Sequence, residues 1–175
     1  MNEHALFSPA RLERNFYTRD VLEVAPDLLG KILVCKTADR WLRFRITETE
    51  AYRGAADLAC HASKGRTQRT EAMFLQGGVI YMYLIYGTYW MFNVVTGEKD
   101  NPQAVLVRGL ENTYGPGRLT RLLHMDKNFY GEDMTVSPRI WAEDDGLRPA
   151  FRSGKRIGVD YAGEWRDKPW RFFVA

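Results

Sequence analysis

Cysteine is scarce in this chain of 175 residues. Cys35 and Cys60 are the only two, and two thiols in a chain of this size do not form a disulfide framework. Long apolar runs are missing as well, because no stretch approaches the roughly 20 residues that a membrane-spanning helix needs. The first residues lack the basic and then apolar pattern of a signal peptide. We therefore expect a cytoplasmic protein with reduced thiols and no membrane contact.

Two common site motifs are also missing. His61 follows Cys60 directly, a spacing that cannot share one zinc ion, and the cysteine pair and nearby glutamate of a zinc deaminase are absent. The segment Gly115-Pro116-Gly117 is not followed by the Gly-Lys-Ser/Thr ending of a phosphate-binding loop. The sequence therefore predicts no metal and no other cofactor.

The composition suits a single soluble domain, residues 1–175. Hydrophobic content of 45% and charged content of 27% are ordinary, whereas aromatic content of 13% is high. The chain has no repeat and no low-complexity linker that would divide it. A net charge of +3 and a pI near 8.9 fit a polyanionic partner, yet many proteins that bind none share them. Charge alone therefore decides nothing about function.

The stretch from Leu42 to Arg53 predicts a strand whose character changes partway along. Strand side chains repeat with period two. An apolar row then runs into two carboxylates on one face, made of Leu42, Phe44, Ile46, Glu48, Glu50 and Tyr52. Carboxylates in a core-facing row indicate a cleft, because burial of an unpaired carboxylate costs several kcal/mol. We expect a site at Glu48 and Glu50.

Two β-rich runs, Val79 to Tyr86 and Tyr89 to Val95, predict a hairpin whose tip is aromatic. Hairpin tips normally carry small polar residues. Tyr86 at such a tip needs a partner surface or a stack into which it wedges. The ordinary alternative is an aromatic ring that packs against Trp90.

Two polar residues interrupt apolar rows in the predicted strands. Arg108 shares a row with Ala104, Leu106 and Leu110, and an unpaired guanidinium there would be costly, so we expect it to meet Glu48 or Glu50. Asn93 follows Tyr89 and Met91 in the next strand and is expected to face the core. It either satisfies backbone groups or reads a ligand.

Other segments complete an α+β prediction: a curved, open barrel-like antiparallel sheet with helices packed at one side. Met1 to Gly30 predicts a docking arm and a helix, which Ser8-Pro9 opens with a cap and a proline at the first position. The near-helical spacing of Leu22, Ala25, Leu28 and Leu29 continues this helix, which ends at Gly30 and covers one edge of a sheet. The remaining predicted elements are strands at Lys31–Lys36, Gln103–Leu110, Arg139–Ala142 and Trp170–Val174, and a short basic helix within Gly115–Met125.

Several blocks of residues occur in a characteristic order. They are Glu48-Thr49-Glu50-Ala51-Tyr52, Asp57 with His61, Gly65-Arg66-Thr67 leading to Met73-Phe74, Tyr81 to Gly87 with Asn93, Ala104 to Arg108, Gly115 to Leu119, and Gly163-Glu164-Trp165 with Lys168-Pro169. In this order they resemble the alkyladenine (3-methyladenine) DNA glycosylase family. The resemblance covers most of the chain from about Leu28. One departure is the link Asn112 to Tyr114, which is shorter than the family's usual excursion.

The resemblance implies base-excision repair of double-stranded DNA that contains damaged purines. The target would be 3-methyladenine, 7-methylguanine, hypoxanthine or ethenoadenine, flipped out of the duplex. No Schiff-base lysine lies in the motif region, so hydrolysis to an abasic site without strand cleavage is expected, with no obligate protein partner. The implied roles are general base for Glu50, water holding for Arg108, base stacking for Tyr52, His61 and Tyr83, guanine exclusion for Asn93, and intercalation for Tyr86.

Cations flank the predicted site. Lys64, Arg66 and Arg69 lie in one loop and Arg118 in the basic helix. A solvated surface is the ordinary interpretation, but beside a DNA site such cations contact phosphates. The basic loop at 148–156 belongs to the same prediction.

Two other classes stay open. The first is a non-catalytic minor-groove protein that recognises damaged DNA and bends it with Tyr86, in which Glu48 and Glu50 serve only as arginine partners. The second is a hydrolase of free nucleosides, which would need neither a wedge nor basic loops. His61 by itself is more often structural, and the aromatic stripe with Tyr83 is more often core than pocket.

Overall fold

The computed structural model describes residues 9–175, which contain ten β-strands, three α-helices and four short 3-10 helices. The strands are β1 (Ala10–Arg11), β2 (Ile32–Lys36), β3 (Trp41–Tyr52), β4 (Ile80–Ile85), β5 (Tyr89–Thr96), β6 (Gln103–Leu110), β7 (Thr113–Tyr114), β8 (Ile140–Asp144), β9 (Phe151–Gly154) and β10 (Arg171–Val174). The α-helices are α1 (Arg14–Tyr17), α2 (Val21–Asp27) and α3 (Pro116–Leu122). The 3-10 helices span His61–Lys64, Glu71–Phe74, Lys127–Phe129 and Asp160–Asp167.

All strand pairs are antiparallel and belong to one large sheet. Its main path runs β1-β8-β2-β3-β6-β5-β4, with β10 added against β3 and β9, and β7 against β6. The sheet does not close into a barrel. The predicted α+β class with a dominant antiparallel sheet is therefore confirmed.

Helix α2 covers the middle of the sheet. It begins after Asp20, whose carboxylate accepts the N–H of Leu22 at 2.9 Å and so caps the first turn. Its buried residues Val21, Val24 and Ala25 join the main core. Because α2 packs against β3 and β6, which are central strands, the helix prediction is confirmed but its placement at a sheet edge was wrong.

Helix α3 packs on the same core as α2. Leu119 is fully buried there, and the helix lies so close to β5 that a Cβ at Gly117 would stand 2.7 Å from the ring of Tyr89. Only glycine fits that approach. The short link before α3 forms a tight hairpin, in which Asn112 has a left-handed φ of 61° and Thr113–Tyr114 pair with β6.

The predicted start of the helix at Ser8-Pro9 is wrong where it can be compared with the structure. Ser8 lies outside the described residues, and Ala10–Arg11 form β1, which pairs with β8. The guanidinium of Arg11 donates to the carbonyl oxygens of Met134 and Ser137, both at 2.7 Å. The contacts with these distant partners outweigh the local preference for a helix start, because local sequence preference is weak compared with tertiary contacts.

A β-bulge in the middle of β3 changes which side its residues face. The register with β6 shifts between Ile46 and Glu48 and again between Glu48 and Thr49. Ile46 and Ala51 belong to the main core, although alternation from Ile46 would place Ala51 on the opposite face. One extra residue on a strand turns all following side chains over. The predicted continuous row is therefore wrong, since the carboxylates face away from Ile46.

In strand β6, the alternation of side chains between the two faces of the sheet is also interrupted, opposite the bulge in β3. Val105, Val107 and Leu110 lie in the main core, while Leu106 and Arg108 line a cavity on the other face. Leu110 thus leaves the row in which the sequence placed it. The two strands switch together, which keeps Ile46 opposite Leu110 in the register.

The aromatic-tipped hairpin is confirmed. Strands β4 and β5 pair from Ile80 opposite Val94 to Ile85 opposite Tyr89. The connecting Tyr86 and Gly87 have φ values of 51° and 63°. A positive φ is uncommon for tyrosine, so the turn holds Tyr86 in a strained conformation at the tip.

Candidate active site

A cavity of about 520 Å³ opens on the sheet face opposite to α2. Its floor is formed by Met91, Asn93, Leu106 and Arg108 of the central strands. The loop after β3, the hairpin β4–β5 and the segment after β9 surround it. Further lining residues are Tyr52, Ala59, Cys60, His61, Met73, Tyr81, Tyr83, Ile85, Tyr86, Ala104, Pro116, Ile157, Gly158, Val159 and Tyr161.

Glu50 lies directly behind this lining, with a side chain that is 0% exposed. Its Oε2 accepts a hydrogen bond from the Tyr52 hydroxyl at 2.8 Å, and its Oε1 accepts one from the Ile157 N–H at 2.8 Å. Arg108 Nε stands 3.5 Å from Oε1. The buried carboxylate is thus held from three sides, which offsets the cost of its burial.

Burial raises the pKa of Glu50 above that of an ordinary glutamate. The charge of Arg108 and the hydrogen bonds from Ile157 and Tyr52 act in the opposite direction, and the nearby Glu48 adds to the rise. Desolvation is the largest cause because removing water disfavours the ionised form. Glu50 therefore takes up a proton at a higher pH than an exposed glutamate would.

Glu48 is the neighbour of Glu50 on the same face. Its Oε1 accepts hydrogen bonds from Arg171 Nη1 at 3.0 Å and Arg108 Nε at 3.4 Å. Arg108 therefore meets both carboxylates, and the predicted pairing is confirmed. Glu48 forms ion pairs with two arginines, whereas Glu50 forms one with Arg108 only.

Three aromatic side chains stand around the floor of the cavity. The rings of His61 and Tyr83 contact each other edge-on, with centroids 4.5 Å apart, so together they form one wall. Tyr52 lies on β3, separated from β4 by the two strands β6 and β5. Tyr52 and the pair His61 and Tyr83 thus come from different parts of the sheet and line the same cavity.

His61 is held neutral in this wall. Its Nδ1 is 2.8 Å from the hydroxyl of Tyr81. Burial, helped by the charges of Arg69 and Lys64, lowers the pKa of His61 to about 4. The uncharged imidazole therefore brings no second positive charge to the cavity.

Asn93 lies on the floor rather than in the core where the sequence placed it. Its Nδ2 donates to the carbonyl oxygens of Tyr81 and Met91, both at 3.3 Å. Carbonyls only accept, so these two contacts fix the orientation of the amide and leave Oδ1 as the atom available to a ligand. Asn93 therefore satisfies two backbone carbonyls, and the same contacts hold its Oδ1 as an acceptor at the cavity floor.

Tyr86 stands on the rim of the cavity and is 89% exposed. The alternative in which this ring packs against Trp90 is therefore wrong, because Trp90 packs against the main core. Tyr161 and Ile157 are also exposed on the rim. The mouth of the cavity is thus surrounded by apolar surface that faces solvent.

The comparisons with known proteins agree with this geometry. The profile of the methylpurine-DNA glycosylase family matches residues 15–114 and 111–175. This chain belongs to that family. It is therefore a DNA glycosylase, as the resemblance implied.

Individual relatives are similar over nearly their whole length. A protein of Desulfitobacterium hafniense is 41% identical over 94% of this chain and 95% of its own length. One from Anaeromyxobacter sp. is 44% identical over 93% of this chain and 88% of its own. One from Bacillus subtilis is 41% identical over 91% and 90%. Each carries the name "Putative 3-methyladenine DNA glycosylase".

The cations of this DNA glycosylase differ in how far they are engaged. Lys64, Arg69 and Arg118 are exposed and form no ion pair with any residue in the described range 9–175; Arg69 lies 5.6 Å over the ring of Tyr83. Arg66 binds Glu71 at 2.6 Å and Asp100 at 3.0 Å. In the second basic loop, Arg148, Lys155 and Arg156 pair with Asp144, Asp167 and Asp57.

Sequence reasoning missed the contribution of the segment after β9. Ile157 supplies a hydrogen bond to Glu50, and Arg156 forms a buried ion pair with Asp57. Nothing in their local spacing pointed to Glu50, which lies 107 residues away from Ile157.

Metal ligands and membrane spans are not found in the described part of the chain. No group of three or more histidine, cysteine, aspartate or glutamate side chains within residues 9–175 is arranged to hold a metal ion. Among the same residues, no helix is long and apolar enough to cross a membrane. Both cysteines are free and buried, and burial raises the pKa of each thiol to about 11.

Proposed function

We propose that this protein excises alkylated or deaminated purines from duplex DNA by hydrolysing the N-glycosidic bond and leaving an abasic site. The observation that carries this proposal is the position of Glu50, which is 0% exposed and held by Tyr52, Ile157 and Arg108 beneath an aromatic cavity. The volume of about 520 Å³ lies within the about 300–1,000 Å³ range of small-molecule sites. A purine base fits that description.

In the proposed reaction, Glu50 activates a water molecule. The water oxygen bonds to the sugar C1′, a water proton passes to Glu50, and the C–N bond breaks with its electron pair leaving on the base. Each carboxylate oxygen has two lone pairs and already accepts one hydrogen bond, so each has a position left for water. Arg108 holds the water and favours the ionised carboxylate, which in turn stabilises the oxocarbenium-like transition state.

The target base enters the cavity after leaving the duplex. We assign its two stacking surfaces to Tyr52 and to the contacting pair His61 and Tyr83, which supports flat purines such as 3-methyladenine, 7-methylguanine, hypoxanthine and ethenoadenine. Asn93, fixed on the floor by two backbone carbonyls, leaves no room for the 2-amino group of normal guanine. Base flipping is needed because the glycosidic bond is otherwise inside the stacked duplex.

Tyr86 fills the gap that the flipped base leaves, and the free cations hold the DNA backbone. Lys64, Arg69 and Arg118 are exposed and available to phosphates. Arg66 contributes less, since it must give up ion pairs with Glu71 and Asp100. With DNA as its substrate, the protein acts in the cytoplasm, and on the nucleoid if the cell is bacterial.

An oligonucleotide duplex that carries one damaged purine tests the proposal. We expect the protein to create alkali-labile sites, so that the labelled strand breaks only after alkali treatment. Breaks without alkali would contradict a monofunctional reaction, and tight binding without any alkali-labile site would favour the non-catalytic minor-groove protein. Family membership already weighs against that alternative. Release of bases from free nucleosides at the same rate would contradict the need for duplex recognition.

A further inference from the structure

A fully buried ion pair lies behind the cavity wall and takes no part in the chemistry described above. The side chains of Asp57 and Arg156 are both 0% exposed. Arg156 Nη1 and Nη2 donate to the two oxygens of Asp57 at 2.6 and 2.9 Å. The same carboxylate accepts the N–H groups of Arg53 and Ala59 at 3.1 and 3.0 Å. Asp57 is thereby fixed by four donors.

Arg156 is tied to each protein group that donates a hydrogen bond to Glu50. The residue that follows it, Ile157, donates its N–H to Oε1. The guanidinium carbon lies 4.9 Å from the centroid of the Tyr52 ring, whose hydroxyl donates to Oε2. Nη1 also donates to the carbonyl of Ala51, the residue after Glu50, at 2.9 Å. One side chain therefore connects the loop after β3, the segment after β9 and the general base.

We propose that Arg156, held by Asp57, is a positioning residue that keeps Tyr52 and the Ile157 N–H in place around Glu50. The assignment rests on the proposed function, since Glu50 is there the general base. A planar guanidinium provides donors in fixed directions and a flat surface against a ring, which a lysine ammonium cannot do. A buried ion pair adds little net stability because desolvation offsets the attraction. Holding a geometry is the role that this arrangement fits.

Two variants separate positioning from folding. Arg156→Lys keeps the buried charge but loses the paired donors and the flat surface. The double variant Asp57→Leu with Arg156→Met removes both charges and keeps the volume, so no unpaired charge is left behind. In each we expect single-turnover excision to fall by about 10-fold or more, because small displacements of a reacting group cost that much. Affinity for undamaged duplex DNA should stay near the wild-type value.

A second readout does not depend on excision. Titration of the Glu50 carboxylate by carbon-13 NMR should give a higher midpoint in both variants, because a hydrogen bond to the ionised form is weakened. The charged groups that face Glu50 are not altered by either substitution: Arg108 from β6, Glu48 from β3, and Arg171 of β10 through Glu48.

Arg14→Lys is the matched control. Arg14 also donates to a carboxylate, that of Asp133, and to the Gly77 carbonyl at 2.7 Å, and none of these residues lines the cavity. It should lower the melting temperature without changing the excision rate of the folded protein or the Glu50 midpoint. If the Arg156 variants match this control in both readouts, Arg156 is only structural and the inference is overturned.

The two proposals fail in different ways. Wild-type protein that releases no base, together with a shifted Glu50 midpoint in the Arg156 variants, would contradict the proposed function and support the positioning role. Normal wild-type excision with an unchanged midpoint and unchanged rate in both variants would contradict the positioning role alone.

Discussion

The two faces of the central sheet show opposite solutions to the problem of a buried side chain. Phe92 and Asn93 are adjacent on β5, and both are almost fully buried. Phe92 faces α2 and α3 within an apolar cluster, where burial itself is stabilising. Asn93 faces the cavity and needs two backbone acceptors. On the core face, apolar packing stabilises the fold. On the cavity face, hydrogen bonds hold the polar groups in place.

Strand β3 also contributes neighbouring residues to both faces, because successive side chains of a strand point to opposite sides. Thr49, on the core face, satisfies its only side-chain donor with the carbonyl of Ala25 in α2 at 2.8 Å. Its neighbour Glu50, on the cavity face, has three partners from three separate segments. The buried charge of Glu50 is thus surrounded by partners. The comparison predicts that core-face variants change stability and that cavity-face variants change chemistry.

The largest expected effect in free energy lies on the core face. Phe92→Ala should lower the free energy of unfolding by about 3–5 kcal/mol, because it removes a large buried ring and leaves a cavity. Asn93→Ala should cost only about 1 kcal/mol, the net contribution of an ordinary hydrogen bond, while changing the ratio of excision between damaged purines and guanine. Urea unfolding and competition assays measure the two quantities. Equal stability losses at both positions would remove the distinction between the faces.

The next effect lies on the cavity face. Glu50→Gln keeps the shape but removes the base, so excision should fall by about 10²-fold or more while lesion DNA still binds. Thr49→Val on the opposite face serves as the control and should leave the excision rate of the folded protein unchanged. Single-turnover kinetics with a gel-shift assay check both. Near-normal excision by Glu50→Gln, with loss in Glu48→Gln, would transfer the catalytic role to Glu48.

Tyr86 belongs to neither buried face, so its variant should affect neither core packing nor the buried polar groups. Tyr86→Ala should leave the melting temperature nearly unchanged, since the ring is 89% exposed. Excision from duplex DNA should fall more than excision of the same base from a mismatched or single-stranded context, where less unstacking is required. Parallel rate measurements on the three substrates check this. Equal losses on all of them would leave base flipping without its wedge.

The smallest effect concerns the surface cations. Lys64→Ala should reduce the slope of log affinity against log salt by about 0.9, the value for one phosphate contact. Arg66→Ala is the matched control in the same loop and should change the slope less, because Glu71 and Asp100 already neutralise that guanidinium. Binding isotherms at four or more salt concentrations distinguish them. A larger change for Arg66 would mean that DNA displaces both carboxylates.

Local patterns predicted the strands and the hairpin tip well, because side-chain alternation and turn residues act over short distances. The strands β2 to β6 and the exposed position of Tyr86 followed from them. The helix start predicted at Ser8-Pro9 was wrong because Arg11 and β1 find their partners on and near β8, far along the chain. The bulge at Glu48 also escaped prediction. Period-two counting assumes a regular strand, and nothing in Ile46-Thr47-Glu48 marks an extra residue.

By itself, the sequence determined the family, the antiparallel α+β class and the pairing of Arg108 with two carboxylates. The pairing followed because a guanidinium in an apolar row requires a partner. Only the tertiary structure decided that the N–H of Ile157 holds one oxygen of Glu50, and that Arg156 lies against the Tyr52 ring. These contacts join segments about a hundred residues apart. Local spacing carries no record of such contacts, because they depend on how the whole sheet brings distant segments together.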